Sequence, residues 1–374
     1  MKCIAILTFH RTNNYGAALQ AYALQYVLSK KYKIEILDYR SPYLEKIYLR
    51  NETRIGDKVR RLIRRVLYPI RTKQLDKRSD RFMDFYKKYY TLSSQSYDKD
   101  CVTSANDKYD LFIAGSDQVW NPHLSRGDWN YFLEFAPAYK RYSYAASVGI
   151  TNSVEDNERI KYDLNQFQQI LVRENKAIDF LKAIGVYRDI TAVCDPVFLL
   201  TAREWGKIIP ESEPEGKKYV LLYTVANVTK SLEFARKLAH ANNIKVISIN
   251  SNQSVKTIKG VKNVLDVGPV EFLQYIRKAT YVVTSSFHAL AFSIIFNIPF
   301  YYELCQDGSN NNDRLENIAD IFCMKNRNIL SARQITQTDN MDWRSVNLIL
   351  ENYRQKSMNI LFDSLRENGC DSDE

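Results

Sequence analysis

Tyr281-Val282-Val283-Thr284, followed by Ser285-Ser286-Phe287-His288-Ala289, decides how this chain is read. A tyrosine, two valines and a threonine form a largely apolar run of strand-favouring residues. Two serines then make a polar turn, and the apolar stretch after them predicts a helix with His288 on its first turn. In alternating α/β proteins, ligands gather at the carboxyl ends of the strands. Asn13-Asn14-Tyr15-Gly16-Ala17-Ala18-Leu19-Gln20-Ala21-Tyr22 repeats the arrangement near the other end of the chain. Two such junctions, one in each half, suggest a cleft between two domains.

The surrounding sequence fits that frame. Cys3 to Phe9, Ala17 to Leu28 and Ile34 to Tyr39 read as strand, helix and strand, a unit whose strands should be parallel. Further strands are expected at Leu111–Ala114, Tyr142–Ser147, Ile170–Val172 and Ile190–Cys194. After Asp195-Pro196 the pattern restarts, with strands at Tyr219–Val225, Lys245–Ile249, Val264–Val267, Tyr281–Thr284 and Phe300–Leu304. Glu211 to Gly216 reads as a surface loop, and Trp343 to Arg366 as one long helix. The fold class expected is α/β, with two doubly wound, Rossmann-like domains over 1–188 and 189–340. A helix and tail follow over 341–374, and a basic helical insertion lies at about 55–90.

The chain has 374 residues, 45% hydrophobic and 26% charged, as in a soluble globular protein with sizeable cores. Its 53 basic and 43 acidic side chains leave a formal charge of +10, which favours an anionic partner. The six cysteines show no paired spacing, which argues against a disulfide framework or a structural zinc site. Met1 to Phe9 is apolar but short and lacks the cleavage region of a signal peptide. No stretch reaches the roughly 20 apolar residues of a membrane span. The expected location is the cytoplasm.

Several residues stand where strands end. Asn13 to Gly16 precede a helix N-terminus that can hold an anion, or else Asn13 and Asn14 only turn and cap. Asp38 sits like the ribose-binding acid of dinucleotide folds, but the glycine pattern of such a site is missing. In Gly115-Ser116-Asp117-Gln118-Val119-Trp120-Asn121, Ser116 and Asp117 suit sugar hydroxyls and Trp120 suits a sugar ring. The competing reading has the polar residues capping and Trp120 packing. Arg173, before Glu174, carries a planar fork that suits a carboxylate or phosphate, or makes a salt bridge. Arg314, opening a helix, is a second anion candidate. A helix N-terminus disfavours the imidazolium, so His288 should stay neutral and able to accept a proton.

Asp57 to Tyr68 places Val59, Leu62, Ile63, Val66 and Leu67 on one helical face, flanked by Arg60, Arg61, Arg64 and Arg65. Such a helix can lie on an anionic membrane, or simply expose a solvated basic face. Pro69 should limit it.

Taken in order, Asn14-Tyr15-Gly16-Ala17 with Leu19-Gln20-Ala21-Tyr22, Gly115 to Asn121, Ser143-Tyr144-Ala145-Ala146-Ser147, Arg173-Glu174, Asp195-Pro196 and Ser286-Phe287-His288-Ala289 resemble the polysaccharide pyruvyl transferase family. The resemblance runs from about residue 1 to about residue 330 and is specific as a set. It implies a two-domain, GT-B-like arrangement facing a cleft. It also implies transfer of pyruvate from phosphoenolpyruvate, a donor substrate rather than a cofactor, to two hydroxyls of one sugar as a cyclic ketal. Exopolysaccharide or capsule synthesis is the implied setting. Carried over by motif, His288 would be the acid/base residue, with Arg173 and Glu174 also catalytic. Arg314, Ser285, Ser286 and Asn312 would lie on the donor side. Asn14, Tyr15, Gly16, Ser116, Asp117, Trp120 and Asn121 would lie on the acceptor side. Better-studied members carry arginine two residues before the histidine, where this chain has Ser286. No metal is required.

The partners expected are phosphoenolpyruvate and a saccharide, lipid-linked or free, with peripheral contact at the inner membrane face through the basic helix. Nucleic acid is not expected, because the basic residues cluster without a recognised reading module. Two alternatives stay open: a nucleotide-sugar-dependent glycosyltransferase of the same architecture, using Glu271 or Glu303, and a non-catalytic saccharide-binding protein.

Overall fold

The computed structural model describes residues 2–44, 63, 65–148, 154–212, 218–225, 230–249, 258, 260–305, 312–331 and 341–366. The chain divides into two units. The first comprises Met1–Asn51, Tyr89–Leu200 and Glu351–Glu374, and the second Glu52–Lys88 and Thr201–Leu350.

The first unit opens with β1 (Cys3–Leu7), α1 (Tyr15–Leu28) and β2 (Lys33–Tyr39). Among the residues of α1, only Tyr26 is not buried, as expected of a helix apolar on all sides. Leu19, Leu24, Val27 and Leu28 are at most 1% exposed, and each such side chain contributes about 1.5–3 kcal/mol relative to leaving it in water. The helix α2 (Pro69–Tyr89) falls almost wholly in the second unit, and β3 (Leu92–Tyr97), β4 (Leu111–Ala114) and β5 (Arg141–Ser143) return to the first. These strands form one parallel sheet in the order β3-β2-β1-β4-β5. Then come α3 (Val154–Leu164), β6 (Ile170–Val172), α4 (Asn175–Ala183) and β7 (Ile190–Ala192). β6 pairs with β7 in parallel, and bridges from Tyr142 to Gln169 and from Ala146 to Val172 continue the first sheet onto β6.

The second unit repeats the winding with β8 (Tyr219–Tyr223), α5 (Ser231–Ala241), β9 (Lys245–Ile249), β10 (Lys262–Val264), α6 (Pro269–Arg277), β11 (Tyr281–Thr284), α7 (Phe287–Ile295), β12 (Phe300–Tyr302) and α8 (Asp313–Ile321). Its parallel order is β10-β9-β8-β11-β12. In both sheets the chain starts centrally, winds outward, then returns to the other side. The switch points lie between β1 and β4, and between β8 and β11. Their strands are near-continuously buried, as parallel strands covered on both faces must be.

Two features depart from the sequence reading, and a third expectation falls mostly outside the described residues. β3, Leu92-Ser93-Ser94-Gln95-Ser96-Tyr97, was not expected, because an edge strand need not be apolar. Pro69 begins a 21-residue helix rather than only ending one, since proline fits the first helical position. The helix expected over Asp57–Tyr68 lies mostly outside the described residues; residues 65–67 are helical.

The units also divide differently from 1–188, 189–340 and 341–374. The helix α9 (Trp343–Arg366) is shared, and its second half belongs to the first unit. There Cys194 donates its backbone N–H to Ser357 Oγ at 2.9 Å, Arg354 Nε donates to the Phe198 carbonyl at 2.7 Å, and Lys2 Nζ to the Leu365 carbonyl at 2.9 Å. Residues 52–88 join the second unit through α2. Lys77 and Arg81 pair with Asp266 at 2.9 and 3.4 Å, and Arg81 also pairs with Glu271 at 3.1 Å. The approach is close: a Cβ on Gly268 would lie 2.5 Å from Arg81 Cβ. Among the described residues, no helix is long and apolar enough to cross a membrane.

Candidate active site

At the switch point of the first unit, three chain segments are tied together by buried polar groups. Thr8 follows β1, and its hydroxyl donates to the Ser116 carbonyl at 3.0 Å. Gln20, one of two buried glutamines on the largely apolar α1, donates to Thr8 Oγ1 at 3.0 Å and accepts from the Ser116 N–H at 3.2 Å. Gly115 has φ +127°, and a Cβ there would lie 2.2 Å from the Tyr144 carbonyl oxygen, so only glycine fits. The Gly115–Ser116 peptide is cis.

Below this lies a charged cluster built from the ends of β4, β6 and β7. Arg173 is 2% exposed, yet its guanidinium meets Asp195 at 3.0 Å, Glu174 at 3.1 Å and Asp117 at 3.8 Å. Burial alone would discourage its charge, but Glu174, Asp195 and Asp117 outweigh that and raise its pKa. Glu174 also accepts from Ser147 Oγ at 3.0 Å, and Ser116 Oγ lies 3.4 Å from Asp195. Asp195 caps the turn at Pro196–Leu199 by accepting from the Val197 N–H at 3.1 Å. The sequence placed Arg173, Glu174, Ser116 and Asp117 at strand ends, and the structure brings them together. It did not single out Asp195 or Gln20 as site residues. A buried-strand exit into Asp-Pro, and a glutamine within a largely apolar helix, were the available signals.

Other expected residues do structural work. Asn14 is the N-cap of α1, and its side chain accepts from the Gly16 and Ala17 amides at 2.9 and 3.4 Å. Tyr15 is 1% exposed and Gly16 is buried. Trp120 is 0% exposed, stacked on Phe132 and edge-on to Phe167, so the competing reading of a packed ring describes its position and sugar stacking does not. Asn121 caps the one-turn helix Pro122–Ser125. Asp38 accepts from Arg11, Arg40 and Ser96 at 3.2, 2.9 and 2.6 Å and lies 3.5 Å from His10 Nε2. Burial opposes its ionisation, but the bonds from His10, Ser96 and Arg40 prevail and hold its pKa well below the usual carboxylate range.

In the second unit, His288 occupies the second position of α7 and is 8% exposed, its ring edge-on to Phe287 at 5.0 Å. The turn before it is closely bonded. Thr284 Oγ1 donates to the Tyr223 carbonyl at 2.6 Å and accepts from the Ser286 N–H at 2.9 Å. Ser285 Oγ accepts from the Val225 N–H at 3.0 Å, which joins the ends of β8 and β11. Ser286 is the N-cap of α7, accepting from the Ala289 N–H at 3.5 Å, a role an arginine at this position would not fill. Beyond the adjacent strand β12, Asn312, just before α8, exchanges two 2.8 Å bonds with the backbone of Cys305, fixing the start of α8 beside the end of β12. Arg314 is the second residue of α8. His288 and Arg314 thus stand on the first turns of helices that follow neighbouring strands, where helix amides favour anions.

Glu303 follows β12 and accepts from the Ser231 N–H and hydroxyl, both at 2.6 Å, and from the Lys230 N–H at 3.2 Å, which caps α5. Glu271 accepts from the Gly268 N–H at 3.0 Å besides pairing with Arg81. Among the described residues, no group of three His, Cys, Asp or Glu is placed to hold a metal ion.

Two doubly wound α/β units with polar sites at their switch points define a protein of the GT-B-like class. One solved structure agrees at the level of fold. A protein of Listeria monocytogenes assigned as a UDP-N-acetylglucosamine 2-epimerase is similar over 99% of this chain and 97% of its own, with 10% identity and a TM-score of 0.56. Methanocaldococcus jannaschii UDP-GlcNAc 2-epimerase, in complex with UDP-GlcNAc and UDP, matches over 94% and 99% with 14% identity and a TM-score of 0.44. The spinosyn forosaminyltransferase SpnP matches over 98% of each chain, with 11% identity and a TM-score of 0.40. No curated protein matches the sequence. The model of the polysaccharide pyruvyl transferase family matches residues 14–302, a span that includes His288 and the Arg173 cluster. The chain belongs to that family.

Proposed function

We propose that the protein transfers the pyruvyl group of phosphoenolpyruvate to two hydroxyls of one saccharide, forming a cyclic ketal. The family match over residues 14–302 carries this reading. The chemistry is balanced without a cofactor. The donor's methylene carbon takes a proton, its central carbon becomes electrophilic, and one sugar hydroxyl adds to it. The C–O bond to phosphate breaks and the second hydroxyl closes the ring. Of the two hydroxyl protons lost, one ends on the new methyl group and the other on phosphate.

Such a path needs an acid/base group and fixed positive charge over the phosphate. His288 is the acid/base residue of this reading. Arg314 and the amides opening α7 and α8 supply the charge on the donor side, with Ser285, Ser286 and Asn312 shaping the turns. The departure at Ser286 is met by this arrangement: the serine caps α7, and Arg314 takes over the anion. In this reading the acceptor saccharide, lipid-linked or free, belongs with the first unit, on the side of Ser116 and Asp117 after β4, while Asn14, Tyr15, Gly16 and Asn121 shape the turns and helix starts around it. Arg173 and Glu174 act there by positioning, since both are buried and bonded to each other.

The nucleotide-sugar alternative rests on fold likeness alone, and its candidate acids, Glu271 and Glu303, already serve as caps. Incubation of the protein with phosphoenolpyruvate and a panel of saccharides tests the proposal. Phosphate release matched by a pyruvyl mass gain on a sugar is expected, and lost in His288→Gln. Sugar transfer from a nucleotide donor, with phosphoenolpyruvate untouched, would overturn it.

A further inference from the structure

The approach to α2 carries an apolar surface that the pyruvyl transfer chemistry does not use. Val66, Leu67, Tyr68 and Ile70 are 74%, 62%, 60% and 77% exposed, and Ile63 is 50% exposed. Of twelve exposed large hydrophobic side chains among the described residues, these five fall between positions 63 and 70, while the rest are scattered. Scattered ones are ordinary, but a contiguous group marks an interaction surface.

The charge around it has one sign. From Arg65 to Ser79 the described residues carry Arg65, Arg71, Lys73 and Lys77 outside the buried stripe, Lys77 also meeting Asp266 at 2.9 Å, against the single acid Asp76 within the stretch. Arg65 bridges to that acid at 3.2 Å and still lies largely in solvent. The buried stripe of α2 is Thr72, Arg78, Phe82, Phe85 and Tyr86. Ile70, Lys73 and Lys77, at i, i+3 and i+7, lie on the opposite face of the helix.

We propose that this stretch docks on the face of an anionic lipid bilayer. Apolar side chains of this size enter the headgroup–acyl boundary, Tyr68 suits the interface, and Arg65 and Lys73 meet anionic headgroups. A second copy of the chain fits less well, because a two-fold contact here would set Arg65 and Lys73 against their own like charges. The proposal stands apart from the reaction, and either can fail without the other.

Vesicle flotation of the full chain tests it, using phosphatidylcholine vesicles and vesicles enriched in phosphatidylglycerol, at low and high salt. Val66→Asp/Ile70→Asp and Lys73→Glu are the variants, all at exposed positions where folding is preserved and checked by thermal melting. The expected result is binding to the anionic vesicles about tenfold or more above neutral ones, weakened by salt and by each variant. Equal partition into both vesicle types, or binding unchanged in the double variant, overturns the proposal. So does a lipid-free monomer–dimer equilibrium that the double variant abolishes, which would assign the surface to a second copy.

Discussion

The guanidinium of Arg173 and the carboxylate of Asp195 meet at 3.0 Å with side-chain exposures of 2% and 0%. They follow β6 and β7, two strands that pair in parallel. The ion pair therefore fixes how these strands end, and through Ser116 it reaches the end of β4.

Removing the cation leaves three carboxylates with no counter-charge. Arg173→Met is expected to destabilise the protein by about 3–5 kcal/mol, the usual cost of breaking a buried pair from one side. Urea unfolding measures it, and a change below about 1 kcal/mol would place the cluster in contact with water after all.

Asp38 gives a pH dependence with a definite sign. Its folded-state pKa is lowered, so its stabilisation is fully present above the unfolded value of about 3.9. That stabilisation is lost as pH falls through the folded value. Asp38→Asn should lower stability near neutral pH and flatten the acid limb of a stability–pH curve. Parallel curves for variant and wild type would show that the ionised form is not favoured.

Two glycines are set by close approach. Gly115→Ala puts a Cβ 2.2 Å from the Tyr144 carbonyl oxygen at φ +127° and should cost more than about 2 kcal/mol. Gly268→Ala meets Arg81 Cβ at 2.5 Å and should cost about 1–3 kcal/mol through the shift of α2. Thermal melts of both variants test the packing.

At the second switch point the expected effects separate. Ser286→Ala loses an N-cap and should cost about 0.5–1 kcal/mol, the low end because its bond is long. His288→Gln should leave the melt unchanged and lower kcat for pyruvyl transfer by about 100- to 10,000-fold. A full-rate His288→Gln enzyme would remove the histidine from the chemistry.

The fold was legible in the sequence where burial is continuous. Tyr281 to Val283, like Ile4 to Leu7, are apolar because both faces of a parallel strand are covered, and turn residues bound each run. β3 was not legible, since Ser93 to Ser96 carry no apolar pattern at a sheet edge. The return of Ser357 to Cys194 is a contact 163 residues apart that no local pattern encodes. Arg173, Ser116 and His288 do follow the ends of β6, β4 and β11, as the strand pattern of the sequence implied. What failed was occupancy: Trp120 is taken by Phe132 and Phe167, and Asn14 and Asn121 by helix amides. A residue type states which bonds it can make, while the folded neighbours decide which it has left.

The most direct test is equilibrium binding of phosphoenolpyruvate and of UDP-GlcNAc to the wild type and to Arg314→Ala, by calorimetry with and without a saccharide acceptor. The account predicts that phosphoenolpyruvate binds, that Arg314→Ala weakens it about tenfold or more, and that UDP-GlcNAc does not compete. Tight UDP-GlcNAc binding that excludes phosphoenolpyruvate would contradict it.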